Sequence, residues 1–359
     1  MVGHSRALTS LCNCLRGVPP AGVEWMSVVG LANQTLTTPG LIDVVDKFTS
    51  MVPDDVCACV RDIYRRNVRR NDRLFAQLEE AVAAMNDRGV TPVLLKGAAT
   101  LATTPYGRRG VRLMADLDVM VRPEETERAI AALTAIGYEI PDRSRSAGQR
   151  WYVELNRSCD VGAIDLQRRA PGPACFYRDF GHAPDHCRLA PLGRGMAYIP
   201  TPTYQALMLI IHDQFQDYGY WLGDIDLRHL VELRDLNGSV GGIDWAELSS
   251  HVSSELMRNA LESQLLALAE LLGVDVPLSL RSRFIPRLQL VRRLMQARFP
   301  VTRVPLLAIT VLDLGNYRRE AAIEHQHASK RRHGSWSMPS ADTLQFLLGK
   351  AVGVRAGKV

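Results

Sequence analysis

The sequence predicts an α/β (α+β) chain: a small mixed sheet with helices against it, a helical N-terminal segment before it and a helical C-terminal domain after it. Three patterns carry that reading. Residues 111–121 alternate strictly, with Val111, Leu113, Ala115, Leu117, Val119 and Val121 on one face and Arg112, Met114, Asp116, Asp118 and Met120 on the other, the period of a half-buried strand. Up to about residue 168, short apolar runs and helical stretches follow one another in the order β-α-β-α-β-β, which implies a small mixed sheet. From Pro202 onward the pattern turns helical, opened by Thr201 as a cap and Pro202 as a first-turn proline.

The elements follow in order. Residues 1–52 read as a leader, partly helical, punctuated by Pro19, Pro20, Gly22, Pro39 and Gly40. Residues 54–88 read as a helix with Val56, Val60, Ile63, Leu74, Leu78, Val82 and Met85 as its apolar stripe and Gly89 as its stop. Residues 92–96 form a short strand entering Gly97, and 98–105 one or two helical turns. The 111–121 strand comes next. A helix opened by Pro123, Glu124 and Glu125 buries Ala129, Leu133 and Ile136 and ends at Gly137. Strands follow at 151–156 and 162–168. Helices are expected at 203–216, 224–236, 244–272, 286–298 and 315–328, then a loop over 329–341 and one last short helix. The domain reading is therefore 1–52 leader, 53–200 core with its leading helix, 201–328 helical domain, and 329–359 loop and terminal helix.

Composition excludes several classes. Of 359 residues, 47% are apolar and 23% charged, an ordinary globular balance, so disorder, collagen and coiled coil are set aside. No apolar run approaches the length of a membrane span, and polar residues interrupt the first twenty positions, so a secretory signal is not expected and the chain reads as cytoplasmic. Seven cysteines, with Cys12/Cys14 and Cys57/Cys59 at a spacing that poorly matches zinc sites, read as reduced thiols. The net charge of +5 does not demand nucleic acid, although the clusters Arg65, Arg66, Arg69, Arg70 and Lys330–Arg332 leave a phosphate-rich partner open.

The chemistry centres on Asp116 and Asp118. Two apart on a strand, both carboxylates leave the same face, roughly 7 Å apart at Cα. Like charges this close call for a cation between them, and hard oxygen ligands suit Mg²⁺. Two such ions can clamp the attacking and leaving oxygens of a phosphoryl transfer. Asp165, on the alternating run Ala163–Gln167, completes a carboxylate triad if its strand lies near the first, as a metal ligand or as base on an acceptor hydroxyl. Lys96 and Gly97 end a strand where a small residue lets backbone approach a phosphate. Arg112 shares the aspartate face and would hold a triphosphate oxygen or balance Asp116. Arg109 and His212 are secondary candidates. Asp224 reads as an N-cap and Trp221 as packing between helices. No dinucleotide fingerprint, P-loop or nucleophile elbow is present.

Taken together, Leu94-Leu95-Lys96-Gly97-Ala98, Arg112-Leu113-Met114-Ala115-Asp116-Leu117-Asp118, the helix ending Gly137-Tyr138 and Ile164-Asp165-Leu166 resemble the uncharacterised nucleotidyltransferase family of the polymerase-β-like superfamily. Leu209–His212, Trp221-Leu222 and Asp226-Leu227 resemble the family's helical half. The resemblance spans roughly residues 75–236. It implies a nucleotidyltransferase core with Mg²⁺ at Asp116 and Asp118, Asp165 as third carboxylate, and Lys96, Gly97 and Arg112 at phosphate. A nucleoside monophosphate would pass from a nucleoside triphosphate, ATP being the expected donor, to an acceptor hydroxyl on a small molecule or modified peptide, with release of pyrophosphate. The alternatives are transfer to RNA or protein and an idle nucleotide-binding fold. Two departures stand out. The superfamily's Gly-Ser or Gly-Gly is replaced by Lys96-Gly97-Ala98, with a longer interval to Asp116. Gln167 also stands where family members often carry a histidine.

Overall fold

The computed structural model describes residues 2–141, 152–172, 176, 183–252, 254–307, 349 and 357–359. The N-terminal stretch forms α1 (Val2–Leu15), α2 (Trp25–Gln34) and α3 (Ile42–Lys47). It is more ordered than a leader. Leu8, Leu11, Cys12 and Leu15 recur at helical spacing, and that stripe is buried in the same apolar cluster as the C-terminal helices. The long helix α4 (Asp54–Asn86) matches the sequence reading, and Gly89 beyond it takes φ +69°.

The core adds β1 (Val93–Leu94), α5 (Lys96–Thr103), β2 (Asp116–Met120), α6 (Thr126–Ala135), β3 (Tyr152–Leu155), β4 (Ala163–Gln167), β5 (Cys187–Leu192) and β6 (Gly195–Pro200). The six strands lie in the order β3-β4-β2-β1-β6-β5. β1 is antiparallel to β2 and parallel to β6, while β2 is parallel to β4. The second apolar cluster joins the sheet to the second half of α4, where Leu74, Leu78, Ala81, Val82 and Met85 lie on one helical face.

Within the sheet, two features differ from the sequence reading. The strand begins at Asp116 rather than 111. The carbonyls ahead of it are taken by side chains of α4: Asn67 Nδ2 donates to the oxygens of Gly110 (2.8 Å) and Arg112 (2.7 Å), Asn71 Nδ2 to that of Arg109 (2.5 Å), and Arg70 Nε to that of Met114 (3.0 Å). With its acceptors satisfied in this way, the segment needs no ladder. The β5–β6 hairpin was not expected; Pro191 pairs with Met196 within it, and Gly193 at φ +55° makes its turn.

The helical half comprises α7 (Pro202–Ile211), a π-turn over His212–Gln216, α8 (Gly219–Leu222), α9 (Leu227–Asn237), α10 (Trp245–Ser250), α11 (Glu255–Leu272) and α12 (Phe284–Arg298). The cap of α9 is Asp226, accepting from the His229 amide at 3.0 Å, not Asp224. The expected 244–272 helix breaks in two because Ser254 caps α11 separately. The expected 315–328 helix, the 329–341 loop and the last short helix lie outside the described residues. No helix among the described residues is long and apolar enough to cross a membrane.

Candidate active site

The register of β2 and β4 sets the site. Asp118 lies directly opposite Asp165, and Asp116 opposite Ala163. Side chains alternate, so Leu117, Val119, Ile164 and Leu166 go into the core while the carboxylates share the other face. Glu154 on β3 pairs with Asp165 and adds a fourth carboxylate to that face. Asp116 is exposed, Asp118 buried and Asp165 half-buried.

One cation answers these carboxylates directly. Lys96 follows β1 with φ +44°, a left-handed conformation uncommon for a side-chain-bearing residue. That turn at the start of α5 carries its Nζ to 2.9 Å from Asp118 Oδ1, in a pair shielded from water. Gln167 Nε2 donates to the same oxygen at 2.5 Å. Gln167 thus places a second hydrogen-bond donor on Asp118, beside Lys96. Burial pushes the Asp118 carboxyl above the usual range, and the Lys96 ammonium opposes it. Asp165 is pushed up to about 7, by burial first and then by the charges of Asp118 and Asp116. The face therefore has more negative charge than Lys96 balances, the condition under which a hard divalent cation is bound by oxygen ligands. Asp116, Asp118 and Asp165 offer hard oxygen donors of the kind a divalent cation takes.

The expected phosphate contacts are arranged differently. Gly97 is buried, and a Cβ there would collide with the Arg112 guanidinium and come within 2.9 Å of Met114 Cε. The glycine is thus required by Arg112 packed against it. Arg112 in turn binds Glu232 of α9, Nε to Oε1 at 2.5 Å, tying the core to the helical half. Gly97→Ala is expected to expel this guanidinium and cost about 1–3 kcal/mol; urea melts of the variant beside Arg112→Ala check it, since a non-additive double variant marks the shared contact. Arg109 stacks on Phe75, 3.5 Å from guanidinium to ring centre, with Asp72 at 3.6 Å, and so is committed to α4.

The helical half faces this site. His212 is half-buried, and its pKa is pushed well down by loss of solvent and then by the charges of Lys96, His229 and Lys358, which keeps the imidazole neutral. Arg228 on α9 has a buried Nε with no hydrogen-bond partner, and its guanidinium feels Asp116. A cavity of about 840 Å³ opens beside the site rather than on it: Leu15, Thr100, Arg112, Arg228 and Glu232 line it, and neither Lys96 nor the carboxylates of β2 and β4 do. It is large enough for a nucleotide-sized ligand. Trp221 packs among Phe215 and Tyr220.

Among the described residues, two other groups could hold a metal, with ligand atoms within 4.8 Å of one another: His186, Glu247 and His251, and Asp213, Asp226 and His229. The Asp116–Asp118–Asp165 set is not among them, as Asp118 is turned to Lys96 and Gln167. Sequence reasoning missed Glu154, Gln167, Arg228 and the Asp213 group. Glu154 and Gln167 stood on recognised strands, but only the register shows that they face Asp118 and Asp165. Arg228 directly follows the Asp226-Leu227 pair and was readable as a charge on the first turn of a helix.

Comparison with known proteins agrees with this geometry. No curated protein and no solved structure matches the chain. A family model described as an uncharacterised nucleotidyltransferase matches residues 21–273, which takes in α2 to α11, the carboxylate face and the helices that close over it. The match spans most of the chain, so the protein belongs to the uncharacterised nucleotidyltransferase family and is a transferase of phosphorus-containing groups.

Proposed function

We propose that the protein moves a nucleoside monophosphate from a nucleoside triphosphate, ATP first among the candidates, to a hydroxyl of a small molecule or modified peptide, releasing pyrophosphate. The observation that carries this reading is the parallel register of β2 and β4, which sets Asp118 beside Asp165 with Asp116 on the same face. Asp116, Asp118 and Asp165 would hold Mg²⁺, which supplies charge neutralisation on the phosphates.

The chain's own residues do the rest. The acceptor oxygen attacks the α-phosphorus, its proton passes to the Asp165 carboxylate, and the bond to the β-phosphate oxygen breaks as pyrophosphate leaves. A carboxyl with a pKa near 7 is suited to hold that proton at neutral pH. Lys96 and Arg228 flank the face with positive charge for the triphosphate. Neutral His212 leaves Lys96 as the ammonium directed at the carboxylates.

The test is a melting-temperature panel of ATP, GTP, CTP and UTP, each with and without Mg²⁺. A ligand that binds only the folded state raises the melting point. A rise that one triphosphate produces only with Mg²⁺ supports the reading, while none with any of them favours an idle fold. Lys96→Ala is expected to weaken that triphosphate by about tenfold or more through loss of a charged contact. Unaltered affinity in a titration would confine Lys96 to balancing Asp118.

A further inference from the structure

A second group of buried charges lies behind His212 and takes no part in the reaction proposed above. Asp213 on the π-turn and Asp226 at the cap of α9 are each 1% exposed, and His229 is 2% exposed. The Nδ1 of His229 has no hydrogen-bond partner and points between the carboxylates, 3.7 Å from Asp213 Oδ1 and 3.4 Å from Asp226 Oδ2. Two carboxylates and an imidazole, with ligand atoms within 4.8 Å of one another, are a donor set for a first-row divalent metal.

The space between them is occupied by the protein itself. Lys358 Nζ lies 2.5 Å from Asp213 Oδ1, 2.8 Å from Asp226 Oδ2 and 3.4 Å from Asp217 Oδ2, a separate acceptor for each of the three N–H bonds of an ammonium. Its segment is fixed by backbone bonds: Lys358 bridges Asp226, the Val359 amide donates to the Ile225 oxygen at 2.9 Å, and the Gly357 amide donates to the Gln34 oxygen at 2.8 Å. Val359 is 2% exposed in the cluster shared by the N-terminal and C-terminal helices. Burial would raise the Asp213 carboxyl, yet the ammonium and His229 hold it well below the usual range.

We propose that Asp213, Asp226 and His229 form a divalent-cation site whose resident cation is the Lys358 ammonium, so that a metal enters only in exchange for the segment that carries it. A buried pair of carboxylates cannot stay ionised without a cation, and a lysine on a short extended segment meets that need without a metal. The site adjoins the Lys96 region, because His212 feels the charges of both Lys96 and Lys358. The geometry stands whether or not the nucleotidyl-transfer reading does.

The experiment uses the full chain and Mn²⁺ as the probe. Lys358→Met keeps the aliphatic stem and removes the charge. It is expected to melt about 5–10 °C lower than the native protein in chelator, as a buried charge pair loses one partner. Mn²⁺ is expected to restore most of that loss, and the variant to bind one more Mn²⁺ per chain than the native protein. The native protein sets the baseline for ions held by Asp116, Asp118 and Asp165. Equal melting points in chelator, or equal Mn²⁺ stoichiometry in the two proteins, would overturn the proposal. If Lys358→Met does not fold, Lys358→Met/Asp213→Asn decides, because it removes the cation and one carboxylate together. Folding of the single variant restored by Mn²⁺, with a double variant that folds in chelator and gains nothing from Mn²⁺, supports the site; a single variant that Mn²⁺ does not restore overturns it.

Discussion

Asp116→Asn is expected to lower nucleotidyl transfer by about three orders of magnitude or more while leaving the fold as stable as before or slightly more so. Asp116 is the exposed member of the face, and no side chain depends on it for an ion pair among those described. Its charge raises the pKa of both Asp118 and Asp165, so the substitution relieves repulsion on the strand. Stability and function should therefore move apart. The melting point in chelator should hold or rise, and the Mg²⁺-dependent rise with triphosphate should disappear. Transfer at the native rate would remove Asp116 from the site.

Asp118→Asn is not equivalent, and the structure says why. Asp118 is buried at 4% exposure and receives both Lys96 Nζ and Gln167 Nε2. An amide there leaves the Lys96 ammonium without its charge partner in a shielded place, and one buried charge alone costs more than the pair. Asp118→Asn therefore loses activity together with stability. A simple expectation of relief from like charges does not carry over from its neighbour.

The carboxylate strand, the Lys-Gly turn and the third aspartate were legible because each has a local signature. Asp116 and Asp118 sit on a run of strict period two, Lys96 stands at a strand-to-helix junction, and Asp165 repeats the alternation. What the sequence left open is set by register and by distant segments. Nothing local says that Glu154 faces Asp165 or that Gln167 faces Asp118, since a one-residue slip would turn either away. Residues 111–115 have the strand period yet are held by Asn67, Asn71 and Arg70 of α4, more than forty residues earlier. Gly97 looked like room for phosphate and is room for Arg112. Lys358 lies 145 positions from Asp213, beyond the reach of any periodicity.

In chelator, the melting-point difference between Asp165→Asn and the native protein is expected to widen by about 5 °C from pH 5 to pH 8, in favour of the variant. The sign follows from the direction of the shift. The Asp165 carboxyl is raised from 3.8 to about 7 in the folded state by burial and by its two neighbours. Folding then binds its proton more tightly, so the unfolded chain holds fewer protons between about pH 4 and 7, and stability falls as pH rises through that window. Above pH 7 the folded protein carries the ionised carboxylate at its full cost, while asparagine carries none. His212 acts in the opposite sense. Burial and the nearby lysines hold its folded pKa below 6.5, so its contribution is lost as pH falls. That slope is common to both proteins and cancels in the difference. Mg²⁺ should shrink the gap at pH 8, because a cation on the face stabilises the native carboxylates and finds a weaker ligand in the variant. A difference that stays flat from pH 5 to 8 would show that Asp165 titrates as an ordinary aspartate and is unfit to hold a proton at neutral pH.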